Sequence, residues 1–246
     1  MLLFQCSGAA CEALTSTRKG QVASWIGAEP VDPASAWVWQ LHAVKIDRKL
    51  VYVAMQRDTR FAMAFWGLKK GDGEALLRLF VERLVNHLLW LNQGIGWLDE
   101  VAADAAIERL LLQHRDFRFA AGGDRSVQTH INDVVHACRD AVWEVGYLPD
   151  NQEEAAGIDG QQNRMLRSVR GGDYFVPDEE LLCHWLQSCA GADAVQIEAV
   201  RERISSQHRT RRAIQIADAI DATNLPPGLF AGPLGKELLA LLKTKR

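Results

Sequence analysis

Several features that would assign a chemistry at sight are missing from this chain. It has no G-x-x-x-x-G-K-[ST] loop, no G-x-G-x-x-G turn after a strand, no H-E-x-x-H and no G-x-S-x-G. P-loop nucleotide hydrolysis, dinucleotide binding, zincin chemistry and the serine nucleophile elbow therefore lose their usual sequence support. No C-x-x-C pair occurs, and the five cysteines (Cys6, Cys11, Cys138, Cys183, Cys189) are odd in number and irregular in spacing. That usage points to reduced thiols in a cytoplasmic setting and away from a disulfide framework. No apolar run approaches the roughly 18 residues that a membrane span needs. The opening MLLFQC lacks a basic stretch before it and reads as a strand, not a leader. Charge of one sign is also lacking: 28 basic residues face 31 acidic ones. No global field draws the chain to nucleic acid or to an anionic membrane, so any such binding must come from a local patch.

The 246 residues are 48% hydrophobic and 24% charged, which suits an ordinary globular core. Strands are expected at 2–6, 37–46, 49–55, 60–66 and 116–120. The short connections at Asp47-Arg48 and 56–59 favour an antiparallel meander. Helices are expected at 8–17, from Asp72 to about Leu91, at 99–113, from Ser126 to Trp143, at 178–189, across 193–222 and at 235–244. Asp72 and Pro177 serve as start signals. The polar, glycine-bearing stretch 148–173 reads as a linker. Strands gathered early and helices late give an α+β fold. A small, mainly antiparallel sheet from the first third packs against several helices, and the C-terminal part is mostly helical. Residues 1–190 are expected to form one domain. Residues 191–246 would be a helical extension, packed on it or forming an arm.

Candidate chemistry is sparse. His130, Asp133 and His136 suggest metal ligands, but on one helix the two imidazoles point about 120° apart. No metal or other cofactor is expected. Cys183-His184 and Cys189 read as core residues. Asp124-Arg125-Ser126 at a helix start offers free N–H groups, a positive dipole end and a planar cation, a combination that can hold a phosphate or carboxylate. His42, on a central strand, is the side chain best placed for acid–base work near neutrality. Arg201, Arg203, Arg209, Arg211 and Arg212 form the one local basic patch. It could meet nucleic-acid phosphates, but it lacks the aromatics of a base-stacking platform.

The ordered pattern W-Q-L-H-A-V-K-I-D-R (39–48), Asp58-Thr59, GLKK (67–70), Asp124-Arg125-Ser126-Val127 with Asn132-Asp133, then Asn163 and Tyr174-Phe175-Val176-Pro177 resembles a bacterial domain family of unknown function. The likeness covers about residues 1–190. It implies a single folded unit and brings no activity with it. Its polar members, His42, Asp47, Arg48, Asp124, Arg125, Ser126, Asn132 and Asp133, are candidates for one shared site. The first expectation is a non-catalytic binding or regulatory protein that recognises a protein partner or an anionic ligand. The alternative is a hydrolase or transferase for a phosphate-bearing substrate such as a nucleotide or RNA. There His42 would be the acid or base, the arginines would stabilise charge and Asp133 would orient the site.

Overall fold

The computed structural model describes residues 1–28, 32–147, 149, 151–169 and 171–219. The helix expected at 235–244 lies outside them. The element order is β1 (Leu2–Cys6), α1 (Gly8–Ala13), β2 (Thr15–Arg18), β3 (Gln21–Ser24), β4 (Trp37–Ile46), β5 (Lys49–Gln56), β6 (Ala62–Phe65), α2 (Gly73–Ile95), α3 (Glu100–Gln113), β7 (Phe117–Ala121), α4 (Arg125–Val145), α5 (Gln152–Asn163), β8 (Arg167–Ser168), β9 (Tyr174–Phe175), α6 (Pro177–Trp185), a π-helical turn Leu186–Ala190, and α7 (Ala194–Ala219).

The fold is α+β. Its main sheet has the order β6-β5-β4-β1-β7. β4, β5 and β6 form the antiparallel meander that their short connections dictate. β1 pairs parallel with both β4 and β7. Two small antiparallel hairpins, β2–β3 and β8–β9, lie outside this sheet. The first of them replaces part of the helix expected at 8–17, because Ser7 caps only a short turn that closes at Leu14.

Both faces of the sheet are covered. Alternation along β1, β4 and β5 sends Phe4, Trp39, Leu41, Tyr52 and Ala54 to one core, shared with α1, α2, α3 and α6. Val51, Val53, Met55, Ala62 and Ala64 face a second core closed by Val127, Ile131, Val134 and Cys138 of α4. A strand buried on both sides reads as nearly continuous apolar sequence, and β5 from Val51 to Gln56 is buried throughout. Ile197, Val200 and Ile204 carry the first half of α7 into the first core.

Residues 148–173 are not a simple linker. They hold α5, whose Asp159 and Asn163 are buried. This helix has few apolar residues to signal it. Polar side chains fix it to the open edge of β6: Asn163 bonds Ala62, and Asp159 Oδ1 accepts from Ala64 N at 2.9 Å. α2 also runs further than its apolar stripe implied, through Gly94 to a left-handed cap at Gly96.

Candidate functional site

The residues expected to share a site are only partly brought together. Asp124 caps α4: its Oδ1 accepts from Ser126 N at 2.6 Å and Val127 N at 3.2 Å. Two of the N–H groups that could have met an anion are thus filled from within. Asp124 N donates to Gln40 Oε1, and a chain of amides runs from Gln40 through Gln128 to Asn132. Arg125 and Asp133 are exposed on α4. His42 shares a 2.9 Å hydrogen bond between its Nδ1 and Ser7 Oγ, and burial lowers its pKa. Asp47 and Arg48 form the exposed tip of the β4–β5 hairpin, with left-handed backbone at both positions. The tip lies roughly 20 Å along β4 from Gln40, so these two residues do not join the α4 start.

The basic patch on α7 is also divided. Arg201 is bound by both carboxylate oxygens of Glu180, at 2.6 and 3.0 Å. Arg203 and Arg209 are exposed, and the side chains of Arg211 and Arg212 lie outside the described residues. Cys183 and Cys189 are buried thiols, and burial pushes Cys183 up to about 11. Among the described residues no group of three His, Cys, Asp or Glu is placed to hold a metal ion.

Two arginines that the sequence did not single out stand beside α4. Arg60, in the β5–β6 turn, and Arg167, on β8, are 5% and 8% exposed. Arg60 Nη2 donates to Ser126 Oγ at 3.3 Å, and Arg167 Nη1 donates to the His130 carbonyl at 3.5 Å. Ser126 and His130 are one helical turn apart, so both guanidinium groups attach to the first two turns of α4. The Nε of each is buried without a hydrogen-bond partner, as is His130 Nδ1. Burial lowers the pKa of both arginines and of His130. Arg167 and His130 also feel the positive charge of Arg60. The attraction of Asp124 and Asp58 for Arg60, and of Asp133 for Arg167, acts from a distance. Among the described residues neither arginine has an ion-paired acid within 4.0 Å. Arg60 also holds a left-handed backbone (φ 57°), which costs a residue with a Cβ of the order of 1 kcal/mol.

A second feature is a groove of about 610 Å³ between α2 and α5, lined by Glu82, Asn86, His87, Trp90, Gly157, Gly160 and Arg164 among others. At its base Arg83 and Asp159 form a buried ion pair. Burial pushes the Asp159 carboxyl up to about 6, against the pull of Arg83. His87 Nε2 lies 3.0 Å from Asp178 Oδ1, with both side chains buried. The Arg164 guanidinium stacks on Trp90 at 5.0 Å. Asp178 sits 91 residues from His87, so no local spacing could have paired them.

A family model described as Domain of unknown function (DUF6933) matches residues 3–180. The matched span contains Arg60, α4, Arg167, His87 and Asp178 and stops before α7. No curated protein matches, and no solved structure matches.

Proposed function

The chain belongs to this family of domains of unknown function (DUF6933), and from that premise we propose that it is a non-catalytic binding protein for an anionic ligand, held beside the first turns of α4. One observation carries the reading: Arg60 and Arg167 are buried with their Nε groups unpartnered, and among the described residues no acid is ion-paired to either. Burying a charge without a partner costs several kcal/mol, and proteins normally avoid it unless a ligand supplies the counter-charge. Arg125, exposed at the same end of α4, adds attraction on approach. A reducing bacterial cytoplasm accords with five unbridged cysteines.

A thermal melt at fixed ionic strength tests the reading, with chloride replaced in turn by phosphate, sulfate, citrate and acetate. A ligand at about 100 times its dissociation constant adds about 2.7 kcal/mol, so at least one anion should raise the Tm by several degrees. A Tm indifferent to every anion would remove the reading.

The groove between α2 and α5 favours a second reading, a hydrolase or transferase. Here the acid–base role falls to His87, oriented by Asp178, and not to His42, whose Nδ1 is engaged by Ser7. Turnover of p-nitrophenyl phosphate or p-nitrophenyl acetate that disappears in a folded His87→Gln variant would support it. No turnover of either would leave the binding reading in place.

A further inference from the structure

We propose that Arg60 and Arg167 grip one tetrahedral dianion, the phosphate group of a phosphomonoester or free phosphate, between the β5–β6 turn, α4 and β8. The inference rests on the anion-binding reading above and gives that site its ligand class.

Charge decides first. Among the described residues neither guanidinium group has an ion-paired acid, and Asp58, Asp124 and Asp133 act on them only from a distance, so a dianion would give each a direct counter-charge. A monoanionic carboxylate would leave one of the two buried cations without a direct counter-charge. Spacing decides second. The arginines are anchored at Ser126 and His130, one turn apart on one face of α4. Both groups attach to the same two turns of α4, and Arg167 feels the charge of Arg60, so one phosphate seated between them would meet both. Donor geometry decides third. Each arginine spends one Nη on α4 and leaves its Nε without a partner. In Arg167, bonded through Nη1, this leaves the Nε–Nη2 edge that binds two oxygens of one oxyanion side by side, and Arg60, bonded through Nη2, offers its Nε.

The remaining groups fit the same ligand. Burial holds His130 toward its neutral form, so its unpartnered Nδ1 can donate or accept one hydrogen bond without adding a third charge. The Ser126 hydroxyl, now accepting from Arg60, can turn its own proton to an oxygen of the ligand. The strained backbone of Arg60 is the second sign of a position kept for a task, since a glycine would hold the same turn at lower cost.

Isothermal titration of the full chain at pH 7.5, with orthophosphate, glycerol 3-phosphate, sulfate and acetate, tests the inference. Arg60→Gln, Arg167→Gln and, as a control, Arg48→Gln at the distant hairpin tip are titrated beside the wild type, with circular dichroism confirming the fold of each. Expected are one site per chain for phosphate and sulfate, no saturable acetate binding, and a loss of at least about tenfold in Arg60→Gln and in Arg167→Gln but not in Arg48→Gln. Arg60→Lys and Arg167→Lys keep the charge and lose the fork, and should weaken binding by an intermediate factor. Tighter binding of glycerol 3-phosphate than of orthophosphate assigns the ligand to the phosphomonoesters; the reverse assigns it to free phosphate. Acetate bound as well as phosphate would overturn the dianion while leaving an anion site in place. Phosphate bound equally by wild type and both glutamine variants would overturn the location. Binding of no anion at all would end the parent reading too.

Discussion

Asn163 meets Ala62 with both ends of its amide: its Oδ1 accepts from Ala62 N and its Nδ2 donates to Ala62 O, each at 2.7 Å. A side chain thereby imitates the strand that β6 lacks on its open edge. Two residues along, Asp159 Oδ1 accepts from Ala64 N, and Arg83 Nη1 donates to Ala64 O. An uncovered edge invites pairing with another chain. Here polar side chains of α5 and α2 close it.

Asn163 is fully buried, so Asn163→Ala should strand the N–H and C=O of Ala62 away from water. Each stranded group costs about 1–3 kcal/mol, and the expected loss is about 2–4 kcal/mol, read from urea denaturation. Asn163→Asp keeps the acceptor but sets a buried carboxyl against the Ala62 and Asp159 carbonyls, and should cost at least as much as alanine. A loss below 1 kcal/mol for alanine would mean that water reaches the β6 edge.

The same residue shows what the sequence could and could not express. The β4–β5–β6 meander and α4 were legible because burial follows period: Trp39 and Leu41 alternate with Val38 and Gln40, and Val127, Ile131, Val134 and Cys138 fall on one helical face. α5 was not, because its attachment rests on Asp159 and Asn163, polar residues whose partners lie 95 and 101 positions away. Arg60 and Arg167 were hidden for the same reason. An arginine in a turn looks like a solvated one until the fold buries it. Asp124, Arg125 and Ser126 lie at the end of α4 beside which we place the anion, but Asp124 fills the N–H groups and Ser126 serves as an anchor for Arg60.

Arg60→Gly should raise stability in anion-free buffer while abolishing anion binding. The substitution releases a left-handed backbone from its Cβ and removes a buried charge that has no ion-paired acid among the described residues. The expected gain is about 1–2 kcal/mol by chemical denaturation, set against the lost bond to Ser126. With saturating phosphate the order should reverse, since only the wild type is stabilised. A loss of more than 1 kcal/mol without anion would show that the contacts of Arg60 outweigh its strain.

Trp37 is enclosed by two imidazoles, with His114 at 4.9 Å and His184 stacked at 5.7 Å. Burial, then the nearby amino terminus of Met1, brings His114 down to about 4; burial also lowers His184, against the pull of Asp58. A folded-state pKa below the unfolded value of about 6.5 gives stability that is present above pH 6.5 and lost as pH falls toward 4. Stability of the wild type should therefore decline across that window, and His114→Gln, which cannot take up the proton, should decline less. Parallel curves for the two proteins between pH 7 and 4 would remove His114 as a cause.

Arg83 and Asp159 pair in a buried position, each also bonded to Ala64 of β6. A buried ion pair gives little net stability against an apolar replacement, but breaking one partner leaves the other charge uncompensated, at about 3–5 kcal/mol. Arg83→Met and Asp159→Leu should each approach that loss. The double variant should cost less than the sum of the two, since no lone charge remains. It should not return to wild type, because Ala64 N and O would then have no partner and each unmet group still costs about 1–3 kcal/mol. Asp159→Asn separates the two contributions: it keeps an acceptor for Ala64 N and removes the counter-charge of Arg83, so it should be milder than Asp159→Leu. A double-mutant cycle by urea denaturation reads all of these. Additive losses would mean that Arg83 and Asp159 each act on β6 alone, and that their mutual attraction contributes nothing to holding α2, α5 and the sheet edge together.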